Sequence, residues 1–167
     1  SISAFVMHDH ENAKGEFRIY QNSGYAQWRN YTYWTPNNSS QYDIDMSGIR
    51  WKENIKLSNN LKLTAGLDSD NMTGKSISLT SGSSTSMPTF TITSPYASIV
   101  HAFPLNSQWS LQSSGTLRNY QHNYYESSTS PALGFSLIGD SITYYVNFSQ
   151  GMNYPGLEGP ALKAAGD

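Results

Sequence analysis

Two histidines separated by a single residue, His8 and His10, are the nearest the chain comes to a metal-binding pair. In an extended strand residues i and i+2 share a face, so both imidazoles point the same way, at a spacing that can chelate a transition metal. No third ligand can be named, and the two read as solvated residues near a loop, with no metal assigned. His101 and His122 are isolated. Serine, histidine and aspartate all occur, but no Gly-x-Ser-x-Gly elbow or other nucleophile context does. No catalytic residue is assigned, no cofactor is implied and the chain is not read as an enzyme.

Binding chemistry has better candidates. Tyr25, Trp28, Tyr31, Tyr33 and Trp34 crowd close to a loop, where they could stack on a flat or cyclic ligand or form an aromatic girdle at a membrane interface. The girdle is the simpler of the two. Arg50, Lys52 and Lys56 fall on one side of a strand and could line a lumen that attracts anionic chelates, although ordinary solvation explains them equally well. The candidate ligand-binding set is therefore Trp28, Tyr31, Tyr33, Trp34, Arg50 and Lys52.

The elements that position these residues are strands. From Ile49 to Leu57 the odd positions are Ile49, Trp51, Glu53, Ile55 and Leu57, and the even ones are Arg50, Lys52, Asn54 and Lys56. Glu53 apart, that is a strand with one apolar and one polar face. After Ser58-Asn-Asn60 the pattern resumes with Leu61, Leu63, Ala65 and Leu67, so the pair predicts a tight hairpin. In Tyr42, Ile44 and Met46 the apolar residues sit on even positions. The phase slips at Ser47-Gly48, where a bulge forms or the strand leaves its apolar surroundings.

Residues 2–10 are strand-like. Glu16 to Trp34 predicts two strands, or one bulged strand, interrupted near Asn22-Ser-Gly24, and Pro36 to Ser40 predicts a loop. Asn71 to Gly74 and Ser81 to Ser86 have the composition of loop tips around a short strand. Thr89 to Phe103 predicts a strand in which Pro95 demands an edge or a bulge. Further alternation over 109–118, 133–137 and 142–148 brings the total to about eight strands, with no stretch of helical periodicity.

With 167 residues one domain over 1–167 suffices, and both ends read as cut. A net charge of −2 argues against a nucleic-acid partner, and 13% aromatic residues argue against disorder. The absence of cysteine rules out disulfides and thiolate metal sites. No apolar run is long enough for a transmembrane helix, which leaves a β-barrel open. Short connections at 58–60, 104–107 and 139–141 alternate with long ones near 35–41, 69–88 and 119–131. An antiparallel up-and-down meander with short turns at one end and long loops at the other is the pattern of an outer-membrane barrel, complete or in part. A soluble antiparallel sheet with one wet face has the same alternation.

Several stretches resemble the barrel of a TonB-dependent outer-membrane receptor: Ser47-Gly-Ile-Arg-Trp-Lys-Glu53, Thr64-Ala-Gly-Leu-Asp68, Ser94-Pro-Tyr96 and Ser149-Gln-Gly-Met-Asn-Tyr-Pro-Gly-Leu-Glu158. The resemblance runs through about residues 41–158 in the family's order. It implies a receptor in the bacterial outer membrane that imports a scarce nutrient such as a metal chelate or vitamin. Its partners would be outer-membrane lipid, the rest of the barrel, the plug and, only through that plug, TonB. The chain departs from the family in having no plug, no TonB box and about eight strands in place of 22, so it would be a barrel segment. The rival expectation is a small self-contained barrel, or a soluble β-sandwich binding carbohydrate through Tyr and Trp.

Overall fold

Alternating β-branched and aromatic residues, broken by Asn, Ser and Pro clusters, produce strands and nothing else across residues 1–28 and 39–151, which the computed structural model describes. In chain order they are β1 (Ile2–His10), β2 (Ala13–Trp28), β3 (Ser40–Lys56), β4 (Leu61–Ser78), β5 (Ser84–Pro104), β6 (Trp109–His122), β7 (Ser128–Gly139) and β8 (Thr143–Ser149). Each pairs antiparallel with the next, giving one eight-stranded up-and-down sheet. The sheet is open, because β1 and β8 form its two edges and do not pair with each other. All eight strands belong to this one sheet, so the described residues do not form the two layers of a sandwich.

The turns at 11–12, 57–60, 105–108 and 140–142 lie at one end of the sheet, and 79–83 and 123–127 at the other. The expected segregation of ends holds, but two expected long loops do not. β4 and β5 continue pairing beyond Met72↔Phe90 to Ile77↔Ser84, with a register shift between Met72 and Gly74, so the loop-like segment 69–88 is mostly strand. Likewise β6 continues to His122, which leaves 123–127 as the connection. Nor does Asn22-Ser-Gly24 interrupt β2, whose pairing with β3 is unbroken from Ala13↔Ile55 to Trp28↔Ser40. Pro95 sits in an interior strand without a bulge. The ladder to β6 lapses at Ser94 and Pro95, where proline has no N–H to give, and resumes in the same register at Tyr96↔Arg118.

Directly paired residues share a face, and the pairing lines up an apolar row, Ile55, Leu63, Ile99, Gly115, Leu133 and Phe148, beside a polar row, Asn54, Thr64, Ser98, Thr116, Ala132 and Ser149. The phase slip at Ser47-Gly48 contains no bulge, since Ser47↔Asn71 and Gly48↔Asp70 continue the register. What changes is the surroundings. Toward the 79–83 end, Met46, Met72 and Phe90 form a row on the otherwise polar face, while Ser47, Asn71 and Thr91 occupy the otherwise apolar one. The 123–127 connection closes over that inverted patch. His122 and Tyr125 rings lie 5.9 and 6.1 Å from Phe90, and Asn123 donates to the Thr89 carbonyl at 2.8 Å and accepts from the Thr91 amide at 3.0 Å. Phe90, 1% exposed, is the only buried hydrophobic residue among those described.

Everywhere else the apolar face is bare: Ile99, Leu133 and Phe148 are 46%, 54% and 63% exposed. The apolar positions form a band. From β3 into its turn, and on β5, β6 and β7, it runs over Ile49–Leu57, Pro95–Phe103, Trp109–Leu117 and Pro131–Gly139, with Glu53, His101 and Ser113 as its polar members, about 26 Å in each at roughly 3.3 Å per residue. It is also slanted. Pairing leads from Ile49 through Ser69 and Thr93 to Gln121, four residues past Leu117, where the β6 run ends, and Leu117 faces Pro131 on β7. A slip of about 13 Å over four strand spacings, about 19 Å, means that the strands lean roughly 35° from the band's normal.

Candidate functional site

Two glycines on the polar face, Gly48 on β3 and Gly66 on β4, decide the local structure. With no side chain at either, the neighbouring tyrosines lie flat across the strands: Tyr20 over Gly48 and Tyr96 over Gly66, where a Cβ would collide with the Tyr96 ring and stand 2.6 Å from the Trp51 carbonyl oxygen. The rings hold a line of charges between them. Arg50 grips Asp70 through two parallel bonds of 2.7 and 2.9 Å, and its Nε lies 3.6 Å from Asp68. Asp68 accepts from Arg118 at 2.9 Å. Tyr20 donates its hydroxyl to Asp70, and its ring lies 5.2 Å from the Arg50 guanidinium. Arg118 lies 4.4 Å from the Tyr96 ring and 5.8 Å from that of Tyr120. Ser94, 3% exposed, is opposite Asp68.

Two guanidiniums and two carboxylates make this ladder neutral. It fixes the side-chain positions across β2 to β6 and contains no nucleophile with a neighbouring base. Arg50 is thus committed to Asp70 and Asp68. Lys52, its neighbour on the same face, is exposed and forms no ion pair among the described residues. Lysine at position 50 keeps the charge but cannot make two parallel bonds. Arg50→Lys should therefore lower unfolding stability by about 1 kcal/mol or less, the guanidinium being more than a third exposed, as read from denaturant midpoints.

The sequence-based candidates separate. Of the aromatic set, Trp28 ends β2 opposite Ser40, whereas Tyr31, Tyr33 and Trp34 lie outside the described residues. His8 and His10 do share a face, with ring centroids 5.3 Å apart, yet among the described residues no group of three His, Cys, Asp or Glu is placed to hold a metal ion. His8 instead meets Glu53 at 3.0 Å across the bare backbone of Gly15, which accounts for the one acid between Ile49 and Leu57 on the apolar face. Sequence reasoning missed Tyr20, Asp68, Asp70, Tyr96 and Arg118 as a group. The signal was present: the hairpin turn at 58–60 sets Asp68 opposite Arg50, and glycines at 48 and 66 on the polar face mark where rings can lie.

Three of the four stretches that carry the receptor resemblance meet here, supplying Gly48 and Arg50, Gly66 and Asp68, and Ser94 and Tyr96. Of the fourth, only Ser149 to Gly151 lies within the described residues. No protein-family model matches the chain, and no curated protein or solved structure matches it.

Proposed function

We propose that this sheet is a section of the wall of a bacterial outer-membrane β-barrel, belonging to a TonB-dependent receptor that takes up a scarce nutrient such as a metal chelate or vitamin. The observation that carries this reading is the slanted apolar band. Membrane-spanning strands take 9–11 residues and tilt by about 35–45°, and a band of nine residues leaning roughly 35° meets both conditions. Exposed leucine, isoleucine and phenylalanine then face lipid, and the Arg50 ladder faces a watery lumen. The polarity exchange at Ser47-Gly48 marks where the strands rise out of the bilayer. The two unpaired edges continue into the rest of the barrel, since an open edge leaves backbone groups unsatisfied in hydrocarbon. A plug inside the barrel would link it to TonB, and no catalytic step is assigned to the chain.

Site-directed spin labelling tests the reading: these 167 residues contain no cysteine, and with any cysteine elsewhere in the protein replaced by serine each label is unique. In the full-length protein reconstituted in vesicles, labels at Trp51, Ile55, Ile99 and Phe135 should collide mainly with oxygen, and labels at Lys52, Asn54, Ser98 and Ser136 with a polar nickel chelate. Phe135 should also register deeper than Leu61, although pairing through Ser113 and His101 puts both in one hydrogen-bonded row. Chelate access on both faces would reject the proposal.

A further inference from the structure

Charge is distributed over this sheet in a way its totals conceal. Of the eight Lys and Arg among the described residues, all but Lys75 stand on the polar face, where the acids are Asp9, Glu16, Asp68 and Asp70. Seven positive and four negative charges leave that face at +3, in a chain whose net charge is −2. The four acids are all engaged. Asp9 holds Lys14 at 2.8 Å, Glu16 holds Arg18 at 3.0 Å, and Asp68 and Asp70 hold Arg50 and Arg118. The surplus is Lys52, Lys56 and Lys62, all on the β3–β4 hairpin, exposed, and without an ion pair among the described residues.

Lys56 and Lys62 are directly opposite each other. Like charges facing across a ladder destabilise a hairpin, and an acid at either position would relieve the repulsion. Fold stability therefore gives no reason for the arrangement, whereas an anion bound between the ammonium groups does.

We infer that the hairpin end of the polar face is an anion site, with Lys52, Lys56 and Lys62 binding a small solute that carries several carboxylate or phosphate groups. This deepens the receptor reading, on which the solute's role as cargo rests. Compact ammonium groups act as point charges without the planar selectivity of arginine, so the site recognises charge more than shape.

Citrate is a suitable probe, titrated calorimetrically into the full-length protein in detergent. Saturable binding should weaken at least tenfold in the double variant Lys56→Gln, Lys62→Gln, and fall as salt rises from about 0.05 to about 0.5 M. Lys75→Gln, which removes the one described cation off this face, should leave it unchanged. Lys56→Glu should abolish binding while raising the melting temperature, because it turns a repulsive pair into an attractive one, an outcome that separates a ligand site from a structural role. The inference is overturned by equal weakening in Lys75→Gln, by a lower melting temperature in Lys56→Glu, or by binding of polyglutamate without citrate, which would indicate an acidic polypeptide as the occupant. Loss of citrate binding with the spin-label depth profile intact would sink the anion site alone.

Discussion

Leu63→Arg should cost roughly 2–4 kcal/mol of folding stability in a bilayer, the penalty for a cation near the middle of a lipid-facing strand. Leu63 is in the centre of the apolar row, between Ile55 and Ile99. The adjacent Thr64 points the other way and hydrogen-bonds to Asn54, so Thr64→Arg places its charge in a region that already carries Lys52 and Lys62. That second variant should lose about 1 kcal/mol or less, in the range of ordinary surface changes. Refolding into lipid vesicles, followed by tryptophan fluorescence through urea titration, measures both. Equal losses would remove the support for lipid on the apolar face, because a sheet wetted on both sides has no reason to distinguish them.

Gly66→Ala should destabilise the sheet by about 1–3 kcal/mol. Its Cβ would be 2.6 Å from the Trp51 carbonyl, which is backbone and cannot swing aside, and would also push the Tyr96 ring off Arg118. The matched control is Gly115→Ala on the opposite face, whose Cβ would find Leu133 and Ile99 at 3.7 and 3.8 Å, ordinary contact distances. There the lower backbone entropy of alanine in the unfolded chain should make the change neutral or stabilising by up to about 1 kcal/mol. Urea midpoints for the two variants decide it. A tolerated Gly66→Ala would mean that the ring and backbone at this point are not packed as described.

The strands, their antiparallel order and the separation of the two ends were legible because side-chain direction in a strand repeats every two residues, and a hairpin turn fixes the register of everything after it. Ile49 to Leu57 and Leu61 to Leu67 display that period directly. Asn71 to Gly74 misled, since polar residues and glycine have the composition of a loop. That composition carries no record of Met46 and Phe90, whose alignment with Met72 makes the segment worth ordering as strand. Pro95 misled for a related reason: a missing N–H disqualifies a residue only where the ladder needs that donor, and a lapse of two residues toward β6 is tolerated.

By itself the sequence determined which residues share a face, because a period of two is a property of local backbone geometry that needs no partner. It also determined that Arg50, Lys52 and Lys56 stand together. Only the tertiary structure decided that Arg50 is neutralised by Asp68 and Asp70 while Lys52, Lys56 and Lys62 are left over, since an ion pair depends on which strand lies alongside and at what register. It alone revealed the slant of the apolar band, which exists only as an offset between the register of β3 and that of β7. The sharing of Asp68 by arginines on two strands that do not touch has the same origin: side chains 50 positions apart come within 2.9 Å because the Tyr96 ring lies down over Gly66 and Arg118 reaches across β5 along that ring.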